Sequence, residues 1–263
     1  MLSVIISAQL GVGPLIIYHY NLISPISIIA NLFLVPIAGL IVQLGFILFL
    51  FAIILPPVAG AVGVAISYLS FIFIEGTTML EKVPLSSMLA VSPPIFIIIC
   101  YYILLWMQSR ERPSSVNAKR VSALAIAISI LFIAVTSIYP ADLKIVFVDV
   151  GQGDCIYIRT PDRRHILIDG GGSPYRGHEQ TFDIGTHIVL PFLLKNGVSK
   201  LDLVVASHWH DDHVGGLLAV VEEMPVSSFL YYPPYDNGET YEQMMNSLEK
   251  RGISKIEAVS GQT

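Results

Sequence analysis

Apolar and polar positions follow one rule in the first half of this chain and another in the second. From Met1 to about residue 139 the apolar residues form near-continuous blocks, over 2–18, 22–36, 37–55, 58–74, 89–108 and 121–139. Spans of roughly 20 apolar residues cross a bilayer as helices, because lipid gives backbone groups no partner outside their own segment. Blocks 37–55 and 121–139 are long enough to span outright. The first two blocks are interrupted by Gly11, Gly13, Pro14, Pro25 and Pro36, with Gln9, His19, Asn21 and Asn31 among the apolar residues. Proline removes a helix donor and clashes with the preceding turn, so these segments are expected to be kinked, broken or re-entrant. Their polar residues have two readings, the lining of a conduit or hydrogen bonds that tie helices together.

From Lys144 the period shortens to two. KIVFVDVGQGDCIYIRT reads as two short strands around a Gly-Gln-Gly-Asp turn, with Cys155, Tyr157 and Arg159 alternating with Ile156 and Ile158. A third strand over His165–Ile168 ends in Asp169 and three glycines, a pattern that suits a carboxylate in a cleft or a plain turn. Ile184, Ile188, Val189, Phe192 and Leu193 fall near helical spacing before an Asn196-Gly197 stop, and Pro191 makes that helix kinked or late-starting. Leu201–Ala206 is a continuous apolar strand of the kind buried under helices on one or both faces. A helix over Val214–Glu223, a strand over Ser228–Tyr232, a helix over Glu239–Arg251 and a strand over Ile253–Val259 follow.

Composition turns this change of period into a domain boundary. Met1–Ile74 holds no Asp, Glu, Lys or Arg, and charges stay sparse until about Lys144. Residues 1–140 are therefore read as a polytopic α-helical membrane domain and 141–263 as a water-facing α/β domain. The loop after Gln108 carries Arg110, Arg112, Lys119 and Arg120 against Glu111, whereas Glu75–Pro94 carries Glu75, Glu81 and only Lys82. Positive loops stay in the cytoplasm, so the last span is expected to deliver the α/β domain to the extracytoplasmic side. Cys100 and Cys155 fall in different domains, and no disulfide framework is inferred.

The densest chemistry lies in SHWHDDHVGG, Ser207–Gly216. His208 and His210, two apart on leaving a strand, can point to one side. Asp212 and His213 lie where the next helix starts, so two ligand pairs are offered to two neighbouring points. Imidazole and carboxylate suit zinc, manganese or iron, and a binuclear centre needs such a division. His178 and His187 are read as solvated or structural, and Asp236, Glu239 and Glu242 as a solvated face.

Two resemblances follow from these residues. Gln9–Gly39, with its Gln-Leu-Gly, Pro14-Leu15, Tyr18, Ala30-Asn31-Leu32 and Pro36, resembles the membrane-domain signature of ComEC-type competence proteins, which are implicated in DNA uptake. H-x-H-x-D-H resembles the metal motif of the metallo-β-lactamase superfamily, and the wider run from VFVDVGQGD to DDHVGG resembles the extracytoplasmic domain of the same competence proteins. The resemblance implies an αββα fold and two divalent ions, zinc or manganese, in the complete protein. It implies His208 and His210 on one ion, Asp212 and His213 on the other, and Asp169 and Asp212 as the carboxylates of the catalytic centre, with Asp169 helping to order it.

After His213 the sequence holds no further histidine, whereas the superfamily uses a later one for each metal and a bridging Asp. The chain is therefore expected to be a fragment, with its hydrolase domain truncated. The implied function is DNA transport across the cytoplasmic membrane, with a nuclease-type domain degrading the strand that is not imported. The partners expected are single-stranded DNA, membrane lipid and other uptake components. A membrane-tethered hydrolase of another ester, and a translocation protein with an inactive hydrolase fold, are the alternatives. The acidic balance from Ala141 onward, 17 acids against 10 bases, opposes tight electrostatic binding of DNA, although Arg159, Arg163, Arg164 and Arg176 could form a local basic rim.

Overall fold

A computed structural model describes residues 2–84, 86–109, 124, 128, 141–172, 182–234 and 238–259. Two compact units emerge: Met1–Ile17 with Leu22–Leu89, and Tyr18–Asn21 with Ala90–Thr263. The apolar block 121–139 lies almost wholly outside the described residues, as do the loop cations Arg110, Arg112, Lys119 and Arg120, together with His178, Arg176 and Asp236.

The apolar blocks form α1 (Leu2–Tyr20), α2 (Ser27–Ile54), α3 (Pro56–Glu81) and α4 (Ile95–Ser109). The first three are long and apolar enough to cross a membrane. Of the expected kink, break or re-entrant turn, a break does not occur at Pro14 or Pro36, whereas Pro25 lies in the turn between the first two helices. Pro14 lies inside α1 and Pro36 inside α2, and both helices continue through them, so blocks 22–36 and 37–55 are joined from Ser27 onward. A proline forfeits one backbone bond, whereas unwinding would leave several N–H and C=O groups without partners among apolar side chains, at several kcal/mol each. The helices are interrupted over residues 21–26 and at Leu55. Asn21 adopts a left-handed backbone at φ 57°. Between α2 and α3 only Leu55 is non-helical, and Pro56 and Pro57 open α3, where their missing N–H groups cost nothing.

The polar residues of this region serve mainly as ties. Gln9 Nε2 donates to Ser27 Oγ, which donates to the Ser24 carbonyl. Asn21, 2% exposed, donates to the Ala90 carbonyl at 3.0 Å and to Ser92 Oγ at 2.8 Å. β1 (Leu22–Ile23) pairs with β2 (Met88–Leu89). Asn31 differs, since it lines a pocket of about 300 Å³ with Ser24, Ser27, Thr77 and Glu81.

The α/β part is a six-stranded sheet in sequential order, built from β3 (Lys144–Phe147), β4 (Ile156–Arg159), β5 (His165–Ile168), β6 (Leu201–Ala206), β7 (Val226–Tyr231) and β8 (Ser254–Glu257). The first two pairings are antiparallel and the last three parallel. The parallel crossovers run through a π-helical turn (Gly185–Val189) continued by α5 (Leu190–Lys195), then α6 (Asp211–Glu223) and α7 (Glu239–Arg251). Pro191 enters where α5 begins, which is the late start its position predicts. α7 has acids in its first turn, Lys250 and Arg251 in its last, and a left-handed Gly252 as cap, all of which favour the helix.

Right-handed crossovers between sequential parallel strands place their helices on one face. The cross-strand row Tyr157, Leu167, Val204 and Phe229 is fully buried on that face. Phe192 of α5 meets the Tyr157 ring edge-on at 5.7 Å, and Tyr241 of α7 packs on Tyr231 at 6.3 Å. The opposite face carries Ile158, Ile166, Leu203 and Leu230, all half-buried, and at its edge Ile145 and Phe147, exposed at 52% and 77%. Among the described residues, then, one sheet and one helical layer of the expected αββα arrangement are present.

Candidate metal centre

The site forms where two neighbouring strands end and a helix begins. β5 ends just before Asp169, β6 ends just before Ser207, and α6 starts at Asp211. Parallel strands of an α/β sheet present their carboxyl ends to ligands in this way. Asp211 and Asp212 occupy the first turn of α6, where the helix dipole favours negative charge.

Asp169 holds the centre together. It is 4% exposed and has a left-handed backbone, φ 57°. Its Oδ1 accepts from Ser207 N–H at 2.8 Å, and its Oδ2 accepts from Ser207 Oγ–H at 2.6 Å and lies 3.0 Å from His213 Nδ1. His213 Nε2 is 3.8 Å from Asp212 Oδ2, and Asp154 Oδ2 approaches His213 Nδ1 at 3.9 Å. Ser207 Oγ also lies 3.0 Å from His208 Nδ1. One carboxylate thus fixes Ser207 directly, and through it or beside it two of the three imidazoles. The His208 ring centroid is 4.8 Å from that of His210 and 3.9 Å from that of His213.

The backbone is as closely fitted as the side chains. Gly170 N–H donates to the His213 carbonyl at 2.7 Å, and Gly216 N–H to the Gly171 carbonyl at 2.8 Å. A β-carbon at Gly172 would stand 2.0 Å from the Asp211 carbonyl oxygen, and one at Gly153 1.6 Å from that of Asp212. The glycines of DGGG and GQGD are therefore required by the close approach of two loops to the start of α6. Beneath them Cys155 is buried, and burial, reinforced by the charge of Asp169, pushes its thiol up to about 12. It is a packing residue rather than a nucleophile.

Of the residues singled out from the sequence, His208, His210, Asp212, His213 and Asp169 all lie at this one end of the sheet. His187 is apart from them, exposed on the π-helical turn, with Nδ1 2.8 Å from the Asp183 carbonyl and its ring stacked on Phe182 at 4.7 Å. Glu239 and Glu242 are exposed on α7. Asp211 is occupied in accepting from Thr240 Oγ at 2.9 Å, which ties α6 to α7. Two participants were missed, Ser207 and Asp154. Ser207 adjoins the first histidine and Asp154 closes the GQGD turn, so position was the available signal, but neither residue type suggests its role.

Beside the histidines the motif carries an aromatic wall. Trp209 Nε1–H donates to the Tyr232 carbonyl at 2.6 Å, and the Tyr241 ring meets the indole edge-on at 4.7 Å. With His208, His210, Pro233 and Pro234 they line an open cleft of about 390 Å³.

The donors suit a divalent transition ion in kind, being imidazole and carboxylate. In number they amount to two per ion if two ions are held, and among the described residues no three His, Cys, Asp or Glu side chains converge on one point. The set fits part of a metal centre and does not close one.

Residues 1–110 match the family model described as competence protein, and residues 148–258 match the metallo-β-lactamase superfamily, which suggests divalent-metal binding. ComE operon protein 3 of Bacillus subtilis (strain 168) is 25% identical over 279 aligned residues, covering 97% of this chain and 34% of that protein. The chain thus spans about a third of the length of that curated relative.

Proposed function

We propose, from a chain that joins a competence-protein domain to a metallo-β-lactamase domain and so is of the ComEC type, a role in DNA uptake at the cytoplasmic membrane. In this reading the membrane helices pass one strand, and the α/β domain, outside the cytoplasmic membrane, cleaves phosphodiester bonds of the other. The observation that carries the second part is the gathering of His208, His210, Asp212 and His213 at one sheet end around the buried Asp169. Divalent ions, zinc or manganese, when bound, would supply Lewis acidity toward a phosphodiester and acidify water.

The protein's own residues have separable duties. His208, His210, His213 and Asp212 are the donors. Asp169 is a positioning residue: its charge holds Ser207 and fixes the orientation of the His213 ring, leaving Nε2 as the nitrogen on the Asp212 side. Asp212, with its side chain 44% exposed against 5% for Asp169, is the more open of these two carboxylates to a substrate.

The test is DNA uptake by cells expressing the full-length protein that carries this sequence, or its His208→Ala variant, with end-labelled linear duplex. The expected result is strand degradation with the intact protein and its loss, by about 100-fold, with the variant. Import with both strands degraded equally by intact and variant proteins would refute the nuclease assignment. Unchanged import by cells lacking the protein would refute the uptake role.

A further inference from the structure

The cleft beside the histidines has a composition the metal chemistry does not explain. Among the described residues no Lys, Arg, Asp or Glu lines it; its walls are Trp209, Tyr232, Tyr241 and the two prolines, with His208 and His210 at one side. Its volume of about 390 Å³ lies within the range of small-ligand clefts, roughly 300–1,000 Å³. Trp209 cannot turn away without losing its bond to the Tyr232 carbonyl and its edge contact with Tyr241. Pro233 and Pro234 restrict the backbone that follows Tyr232. The Tyr232 ring remains 64% exposed at the cleft, next to rings that are packed.

Among the described lining residues a phosphate has no Lys or Arg to meet, and the α/β part as a whole is acidic. A flat, uncharged, π-faced group does have partners, because aromatic side chains stack nucleobases with little regard to sequence. Only an unpaired base offers such a face, since in a duplex both faces are covered by neighbouring pairs. We propose that the cleft walled by Trp209, Tyr232 and Tyr241 is a base-stacking subsite that seats one unpaired nucleobase of DNA beside His208 and His210. The proposal rests on the DNA-handling function argued above and names the form of DNA that this end of the sheet engages. Stacking at this point sets the adjoining backbone against the histidines without requiring a basic groove.

The chain has two tryptophans, Trp106 and Trp209, so a Trp106→Phe background makes Trp209 the sole indole reporter. That protein, in detergent micelles with EDTA present, is titrated with fluorescein-labelled oligothymidylate, following Trp209 quenching and probe anisotropy together. Saturable quenching by the single strand and none by a blunt duplex is expected. Tyr232→Ala should raise Kd about ten-fold with an unchanged salt dependence, and Tyr232→Phe should restore it. The Tyr232 carbonyl that holds Trp209 is present in every variant, so the cleft wall is retained. An abasic oligonucleotide that binds and quenches as well as oligothymidylate, or equal Kd for Tyr232→Ala and the parent, overturns the subsite while leaving DNA binding in place. No anisotropy change with any DNA overturns both the subsite and the function on which it rests.

Discussion

Asp169 carries more of this site than any histidine does. A non-glycine residue in the left-handed region is strained by roughly 1–2 kcal/mol, and Asp169 is held there by two bonds from Ser207 and one contact with His213. Asp169→Asn keeps shape and backbone tolerance but replaces one accepting oxygen by a donor, which faces either the Ser207 hydroxyl or the His213 ring. We expect a loss of about 1–3 kcal/mol in thermal unfolding, and a ten- to hundred-fold weaker uptake of zinc by titration. Unchanged stability and metal affinity would remove Asp169 from its positioning role. The sequence made Asp169 legible, because a carboxylate between ILI and GGG reads as a strand end. Its partnership with Ser207 was not, since side-chain bonds across 38 positions leave no local pattern.

At the scale of elements, the glycines decide how closely loops can dock on α6. Gly153 combines φ 89° with a β-carbon position 1.6 Å from the Asp212 carbonyl oxygen, whereas Gly197 has φ 83° and open space around it. Gly197→Ala should therefore cost only backbone strain, about 1 kcal/mol, and Gly153→Ala at least twice that, about 2–4 kcal/mol, in denaturant unfolding. Equal losses would mean that the GQGD turn does not dock as described. The strands and helices of the α/β part were readable because alternation, turn residues and cap signals agree there, as they do for α7. The boundary between blocks 22–36 and 37–55 is not a helix end, because proline stops a helix less readily in an apolar surround than in water. Inside an apolar helix, keeping the remaining backbone bonds outweighs one missing donor, and α2 runs through Pro36 for 28 residues, about 42 Å. The π-helical turn before α5 had no signal in the spacing, which only marked a disturbance near Pro191.

For the molecule as a whole, the charge pattern makes a directional statement. Glu75 and Glu81 against Lys82 at the end of α3, and four cations in the sequence after Gln108, underlie the proposal that the α/β part lies outside the cytoplasmic membrane. Lys200 is exposed in the turn before β6. A Lys200→Cys variant, with Cys100 and Cys155 changed to Ser, should react with a membrane-impermeant maleimide in intact cells or spheroplasts; labelling only after lysis would reverse the orientation. The sheet's two faces add a different constraint. One is sealed by helices; the other leaves Ile145 and Phe147 in contact with whatever surrounds the molecule, and Ile158, Ile166, Leu203 and Leu230 partly so. Each such side chain that gains full cover adds roughly 1.5–3 kcal/mol. The stability of this sheet is consequently a property of its company: an amphiphile, a lipid surface or an apposed apolar layer raises it, and dilution into plain buffer lowers it.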